Sequence, residues 1–566
     1  MLQRYFFVII ALLWIWPGCF SGFAGETRKT NSTRYELGRT WYDYAPVSGR
    51  TLAHAYGSGN DGIHFVFSKV LPQGAPRRVN YDYFDEGLGG FFGNWAVTED
   101  QATGSGRVLN GKDDEAIVGL SGSGLRIFQD SGEAGFFFSE VFNAPGVAFQ
   151  GMDIHGNTVI AGGPDTLLYS LDYLQTWQGA AISPFDPSIN VWIPVGPQIN
   201  PANPSQVAFV AHAASADSRF PSGMYWISTA DWGASWETVL IWDFDSVFAT
   251  PYGASRFLDF NQAEGLYGED GVYHAAFGAV QAIKDTSAST MTDFWPVLYW
   301  NSSDRNLQWI SSPEYSAPAD TATMIALQSN RPGNDFANSR PQFSRGPYPE
   351  LLLCVWQQWE KDPATGEIVL LDAILGGGTV QIFATGFGCA ISYDNGQNWY
   401  EARLMAGNPH QSDVFPNIAK NARPGGPIYE FELDMMYLHD TNPGVSIFQQ
   451  TDPSECVWYF ERAQGFLGGD AVEPFPTAPG DFDLSQNYPN PFNPATTIRY
   501  VLKRPLKILL EVFDLNGRKV VTLAEGRQLP GEHEVVFDAG KLASGVYFYR
   551  LSAGGFRQAR KMVLLH

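Results

Sequence analysis

A short turn recurs along this chain and limits what the chain can fold into. Its sharpest copy is Ser392-Tyr-Asp394-Asn-Gly396-Gln-Asn-Trp399. A second good copy is Thr229-Ala-Asp231-Trp-Gly233-Ala-Ser-Trp236. Ser170-Leu-Asp172-Tyr-Leu-Gln-Thr-Trp177 keeps Ser, Asp and Trp but loses the glycine. Ser302-Ser-Asp304-Arg-Asn-Leu-Gln-Trp309 has Asn where the glycine belongs, and Gln129-Asp130-Ser-Gly132 keeps only Asp and Gly. In the four better copies the step from Asp to Trp is the same. An Asp carboxylate accepts backbone N–H groups inside a tight turn. Glycine, or Asn at a cost, supplies the left-handed backbone that follows. Strand-like runs flank the turn, as in Met224-Tyr-Trp-Ile-Ser and Glu237-Thr-Val-Leu-Ile. Each copy therefore predicts a β-hairpin with a pinned turn and a Trp falling back on the sheet.

The copies resemble the Asp box, also called the bacterial neuraminidase repeat, of sialidases, some other glycoside hydrolases and non-enzymatic β-propellers. The resemblance implies structural roles for these Ser, Thr, Asp, Gly and Trp residues, on outer turns away from a central pocket. The boxes are 59, 73 and 90 residues apart, which suits propeller blades with unequal insertions. Seven β-rich segments between Arg50 and Phe460 predict six or seven blades, with seven preferred. The run Thr40-Trp-Tyr-Asp-Tyr44 is expected to close the ring on the last blade.

The last eighty-odd residues have a different character. Asn487-Tyr488-Pro489-Asn490-Pro491-Phe492-Asn493-Pro494 forbids a helix and favours an extended entry. Alternating strands follow, with a hairpin turn at Asn516-Gly517, the strand Gly545-Val-Tyr547-Phe-Tyr-Arg, and a basic-apolar end from Lys561. This stretch resembles the C-terminal sorting domain of proteins exported by the bacterial type IX secretion system. The resemblance implies an immunoglobulin-like sandwich, a partnership with that machinery, and passage through the periplasm to the outer surface or beyond. Charge fits a separable module: 484–566 carries +6, while 1–483 carries −29. So acidic a body argues against nucleic acid as partner, because phosphate contacts need Lys and Arg.

At the other end, Arg4, the apolar run Tyr5 to Trp16 and small residues up to Gly25 read as a signal peptide over 1–25. Gly18-Cys19 raises a lipoprotein reading, but Trp16-Pro17 is a poor lipobox. No later stretch reaches the length of a membrane span. The expected organisation is all-β: signal peptide 1–25, a six- or seven-bladed β-propeller over 26–468, a Pro-rich acidic linker over 469–483, and the small sandwich over 484–566. Beyond the leader, Cys354, Cys389 and Cys456 permit at most one disulfide and a free thiol.

Catalytic chemistry is harder to find. The Asp-box resemblance brings sialidases to mind, which use three arginines on the substrate carboxylate, a Tyr–Glu nucleophile pair, an acid-base Asp and an Arg-Ile-Pro signature. That signature is missing here. Arg50, Arg77, Arg78, Arg126, Arg219, Arg256, Arg340, Arg345 and Arg403 are available, but spacing selects no three. Asp82, Asp85, Glu86, Glu269 and Asp270 read as solvated loop charges. Histidines 54, 64, 155, 212, 274, 410 and 439 are scattered, with no His-x-x-x-His. Gly57–Gly62 and Asn110–Glu115 offer hard oxygen ligands to calcium, yet plain turns are the simpler reading, and no cofactor or metal is predicted. Trp95, Trp192, Trp242, Trp295, Trp356 and Trp359 suit sugar stacking or core packing. Three functions follow as expectations: a secreted propeller recognising a glycan or surface polymer, an extracellular sialidase-like glycoside hydrolase, and a non-catalytic scaffold. Arg and carboxylate groups gathered on the axis would favour the enzyme.

Overall fold

The computed structural model describes residues 34–41, 50–55, 62–70, 77–98, 106–130, 138–163, 165–182, 190–192, 196–214, 222–244, 248–250, 253–284, 291–294, 296–311, 338–347, 350–360, 362, 368–406, 412–424, 431–443, 452–466, 482–502, 506–515, 518–528, 531–553 and 556–565. The leader, Tyr42 to Tyr44, Gly57 to Asp61 and Gly517 lie outside them. Two compact units emerge. The larger is the chain up to Arg345, with Cys354–Cys389 and Leu404–Gly465; the smaller is Gly346–Leu353, Ala390–Arg403 and Phe466–His566. Among the described residues the one helical segment is the 3-10 turn Lys112–Asp114, and no helix is long and apolar enough to cross a membrane.

The larger unit is a succession of mainly antiparallel sheets taken in chain order. The first holds Leu52–Ala55, Gly62–Lys69, Arg78–Asp85 and Gly90–Phe91. Gly106–Asn110, Ala116–Ser121, Gly124–Asp130 and Phe138–Pro145 make the second. The third is Gly151–His155, Thr158–Gly162, Thr166–Ser170 and Gln178–Ala181. In the fourth, Asn190–Trp192 and Gln198–Ile199 share Val207–Ala214, followed by Gly223–Thr229 and Glu237–Asp243. The fifth centres on Gly253–Tyr267, Tyr273–Lys284 and Val297–Asn301. Next in sequence come Asn338–Arg345, Leu352–Trp359, Thr385–Ser392 and Tyr400–Met405. Finally Ser412–Ile418, Phe431–Asp440 and Cys456–Phe466 pair in that order.

Several strands are buried on both faces, as in Gly62–Lys69. Alternate residues go to opposite neighbours, because side chains alternate across a strand. Val66 packs with Val108, Val118 and Leu120 of the second sheet. Phe65 and Phe67, on the opposite face, pack with Leu438, Trp458 and Phe460 of the last sheet. Ile117 turns instead to Val159 and Leu168 of the third sheet. Val207 meets Ile160 and Leu167 of the third, while Ala208 and Val210 meet Tyr273 and Phe277 of the fifth. Phe343 then stands edge-on to His274 and Tyr299 of the fifth sheet. Phe387 contacts Tyr437 of the last at 5.1 Å between ring centres. The packing chain thus returns to its start.

A strand from the far end of the sequence joins this closure. Arg34–Thr40 adds to Cys456–Phe466, with Thr40 opposite Cys456 and Arg34 opposite Glu461. The sequence reading put the closing run at Thr40 to Tyr44; the paired strand ends at Thr40. Arg34 explains the earlier position. Its guanidinium lies 3.7 Å from the Tyr459 ring centre and 3.9 Å from Asp413.

In the C-terminal part of the smaller unit, Phe482–Leu484, Ala495–Leu502 and Gly531–Asp538 form one sheet. Lys519–Gln528, Leu506–Phe513, Gly545–Ala553 and Phe556–Leu564 form the other. Both contribute to a single core, with Ile498, Tyr500, Leu510, Tyr549 and Leu564 buried.

Gly151, which opens its strand, and Gly196, in the loop before Gln198–Ile199, set how closely the two backbones approach. A Cβ on Gly151 would lie 2.7 Å from the Gly196 Cα. Backbone cannot move aside as a side-chain tip can, so overpacking costs about 1–3 kcal/mol. Gly151→Ala and Gly196→Ala should each destabilise by that amount in denaturant unfolding. Wild-type stability for both would show that the strands are free to separate.

Candidate functional site

The inner ends of the sheets surround a cavity of about 150 Å³. Its charged lining comes from distant parts of the chain: Arg50, Arg107, Asp153, Glu264 and Lys420, with His54, Asn110 and Gln198 beside them. Arg50 holds Glu264 at 3.1 Å and donates to the carbonyls of Ile418 and Phe343 at 2.9 and 2.6 Å. Lys420 Nζ donates to Asp153 Oδ1 at 2.7 Å, and the Ile199 N–H donates to Asp153 Oδ2 at 2.9 Å. Arg107 donates to the Gly106 carbonyl at 2.7 Å. Burial pushes the Glu264 carboxyl up, against the pull of Arg50 and Arg107, and pushes Arg107 down to about 10. Arg and carboxylate groups do gather here, with Arg50 and Arg107 both acting on Glu264 and Lys420 on Asp153.

A second network begins at the cavity wall. His54 Nε2 sits 2.9 Å from Asp434 Oδ2, and Arg462 Nε and Arg423 Nη2 approach the same carboxylate at 2.8 and 2.9 Å. Both arginines also reach Glu86. Burial alone would raise the Asp434 pKa, but His54, Arg462 and Arg423 hold it down at about 2. Glu86, expected as a solvated loop charge, is instead half-buried in this network. Asp82 is buried outright and accepts the Tyr83 N–H at 2.9 Å. Glu269 pairs with Arg345 at 2.6 Å, Asp85 accepts from Leu88 N–H at 2.8 Å, and Asp270 from Val272 N–H at 3.1 Å.

Two buried histidines repeat one arrangement. His64 Nδ1 lies 2.7 Å from the Tyr81 hydroxyl, and His274 Nδ1 lies 2.7 Å from the Tyr299 hydroxyl. His64 also reaches Asn110 at 3.2 Å, which occupies one candidate calcium ligand. Burial pushes both rings down to about 4. Unfolded histidine titrates near 6.5, so the unfolded chain takes up these protons first. The stability from each neutral ring is complete above about pH 6.5 and falls as pH drops towards 4, by on the order of 3 kcal/mol per ring. His64→Gln with His274→Gln should therefore flatten the dependence of unfolding free energy on pH across that window. An unchanged slope would place the acid sensitivity elsewhere.

The recurring turns take two forms. In three, Ser or Thr ends the strand and its hydroxyl donates to the Asp: Ser170 to Asp172 at 2.9 Å, Thr229 to Asp231 at 2.8 Å, Ser392 to Asp394 at 2.9 Å. That hydroxyl accepts from the N–H four residues on, at Leu174, Gly233 and Gly396. The Asp carboxylate closes the turn on Thr176, Ser235 and Asn398, each through backbone and side chain. These bonds hold Asp172 down at about 2 and lower Asp231. Gly233 and Gly396 have φ of 88° and 86°; Leu174 has φ of 69° at the same place. Leu174 tolerates the left-handed backbone because its side chain is buried beside Trp177. Trp177 stacks on Phe142 at 4.5 Å, and Trp236 donates to the Ala181 carbonyl at 3.2 Å.

The copy at Ser302 to Trp309 differs. Its strand ends at Asn301, whose Oδ1 accepts from the N–H groups of Ser303 and Asp304 at 2.9 Å. Ser302 Oγ accepts from the Tyr273 N–H, and Trp309 donates to Ser311 Oγ at 2.9 Å. Asp304 accepts from the Asn306 N–H at 2.9 Å. The turn is displaced by one residue, so the shared Asp-to-Trp step is a coincidence of sequence here. Asp130 is a buried strand end, and Gly132 lies outside the described residues. Asp231→Ala should lower the melting temperature clearly more than Asp304→Ala in a thermal scan; equal losses would make the two turns equivalent.

Of the tryptophans, Trp356 and Trp359 are buried and Trp95 is 47% exposed; the Trp192 side chain and Trp295 fall outside the description. Cys354, Cys389 and Cys456 are buried free thiols. In the C-terminal motif, Asn487 donates Nδ2 to Thr496 at 2.9 Å and to the Pro489 carbonyl at 3.1 Å. Its N–H donates to the Tyr549 hydroxyl at 2.7 Å, which donates to the Ser485 carbonyl at 2.6 Å. Both the Tyr488–Pro489 and Asn490–Pro491 bonds are cis. Asn490 Oδ1 accepts from Val563 at 2.9 Å, Phe492 is buried in the core, and the Pro494 carbonyl accepts from Ala539 at 2.9 Å. Tyr547 donates to the Ala543 carbonyl at 2.9 Å. Tyr488, Asn493 and Lys561 stay exposed, and Gly545 opens its strand.

No curated protein matches this sequence. Among solved structures, a fungal alcohol oxidase of the AA5 family, in complex with copper, is 9% identical, with 95% of this chain and 100% of that one covered and a TM-score of 0.35. An α-L-arabinofuranosidase from Fusarium graminearum is 12% identical over 63% of this chain and 92% of its own, at 0.32. Trypanosoma rangeli sialidase, with 2,3-difluorosialic acid, is 10% identical over 94% and 88%, at 0.33. Scores this low establish neither a shared topology nor a shared activity. The C-terminal match is of another kind: residues 486–565 fit the family model described as the secretion system C-terminal sorting domain. The end of the chain is such a domain, and it implies export by type IX secretion to the cell surface or the medium.

Proposed function

We propose that this is an exported seven-bladed β-propeller whose central cavity recognises a glycan or surface polymer. Five successive sheets and the strands from Asn338 to Phe466, with Arg34–Thr40 added to the last of them, support that reading. The observation that carries the function is the cavity itself, where charged and apolar side chains from widely separated strands converge on one space. Recognition sites of propellers lie where inner strands meet, because only there does every blade contribute. Export places that cavity among extracellular polymers.

A glycoside hydrolase is the second reading, and one observation favours it. Asp153 and Glu264 line the same cavity in unlike surroundings, one on Lys420 and a backbone N–H, the other on Arg50. Paired carboxylates in different environments are what glycosidic cleavage requires. Without either activity the propeller would serve as a scaffold. The exported chain, applied to a panel of sialylated and plant-type glycans and read by mass spectrometry for retention and cleavage, separates the three. Retention of intact glycan is expected. Cleavage would make the protein a hydrolase, and neither outcome from a folded sample would leave the scaffold.

A further inference from the structure

We infer that the cavity holds one uncharged sugar unit, with Lys420 and Asp153 taking two neighbouring ring hydroxyls. The inference rests on the cavity being the glycan site, and it names the unit and the contact. The ion pair is its first support. Lys420 Nζ donates to Asp153 Oδ1 at 2.7 Å, and both residues line the cavity, Lys420 with 27% of its side chain exposed and Asp153 with 5%. The Ile199 N–H donates to Asp153 Oδ2 at 2.9 Å and holds the carboxylate in place. An ammonium donates several hydrogen bonds and a carboxylate oxygen accepts more than one, so both groups can do more than these two bonds require. Neighbouring hydroxyls of a sugar ring are spaced like the two atoms of a hydrogen bond. One can accept from Lys420 while the next donates to Asp153, and both bonds are charge-assisted. Burial pushes the Lys420 amine down against the pull of Asp153; an oxygen that accepts from it offsets part of that burial.

Charge balance is the second support. Arg50 holds Glu264 at 3.1 Å, Arg107 pulls on the same carboxylate, and His54 is turned onto Asp434. With Lys420 on Asp153, the charges of the wall act on one another. A charged ligand would displace one of these contacts or stand away from water beside like charge, and both are costly. An uncharged ligand does neither. The rest of the lining is the third support. Leu52, Val108 and Met152 stand among the charged groups. A sugar unit is mixed in the same way, with C–H groups on its ring faces and hydroxyls at its rim. Sites that enclose a drug-sized ligand span roughly 300–1,000 Å³. At about 150 Å³ this cavity admits one unit, with the polymer outside.

The test uses the exported chain with small probes, read by saturation-transfer NMR and titration calorimetry. The probes are the methyl glycosides of glucose, galactose and mannose, their monodeoxy forms, and glucuronate. At least one glycoside should bind, and more tightly than glucuronate. Removing either of two adjacent hydroxyls from it should weaken binding about tenfold or more, the worth of a hydrogen bond to a charged group. Lys420→Met should weaken that glycoside by a similar factor and leave the deoxy form lacking the lysine-bound hydroxyl little changed. A lysine with only a structural role would weaken both alike. Should the variant fail to fold, the deoxy series on the wild-type chain decides alone. Glucuronate binding tighter than every glycoside, deoxy forms that all bind like their parent, or no glycoside bound at all would overturn the inference. Glycan still retained from the polymer panel beside any of those results would leave glycan recognition standing without this contact, and loss of both would remove the reading beneath it.

Discussion

The larger unit depends on one arrangement: its buried strands divide their side chains between two neighbouring sheets. Val66 belongs to the contact with the second sheet, while Phe65 and Phe67 belong to the contact with the last. A sheet covered on both faces has no solvent side, so its strands read as nearly continuous apolar runs. Such a stack leaves two bare faces unless it returns on itself. Here the first and last sheets share a core of Ile63, Phe65, Met436, Trp458 and Phe460. The strand Arg34–Thr40 completes the last sheet from the opposite end of the sequence. Burying an aromatic side chain of this kind is worth about 1.5–3 kcal/mol, so closure of that face is a large term.

Several sheets also meet at the cavity, where charged residues stand among apolar ones such as Leu52, Val108 and Met152. The charges that meet are mostly spent on one another, Arg50 with Glu264 and Lys420 with Asp153. The neighbouring network of His54, Asp434, Arg423, Arg462 and Glu86 ties the first sheet to the last in the same way. Buried ion pairs of this sort add little net stability but are expensive to break. They fix which strand ends stand beside which, and so give the cavity a defined wall.

The sequence made some of this legible and hid the rest for physical reasons. The turns at Asp172, Asp231 and Asp394 were readable because their bonds span only four residues. Ser302 to Trp309 misled, because an Asn at the strand end does the work of Ser one residue earlier than the pattern implies. The entry Asn487 to Pro494 and the basic tail were readable for the same local reason, and their family is established by the match over 486–565. The cavity was not readable. Arg50, Arg107, Asp153, Glu264 and Lys420 have no common spacing, since what unites them is the tertiary packing that brings their segments to one cavity. Glu86 and Asp82 looked like loop charges because nothing near them in sequence reveals Arg423, Arg462 or the packing above them.

The proposed propeller requires the first and last sheets to be joined, and native-state amide hydrogen exchange tests that junction most directly. Exchange protection reports the stability of the opening unit that each amide belongs to. If Arg34–Thr40 closes the last sheet, its amides that pair with Cys456–Phe466 should exchange with the slow class of that sheet. Amides of Arg34–Thr40 that exchange freely while Phe431–Asp440 and Cys456–Phe466 stay protected would contradict that junction, and with it the propeller proposal.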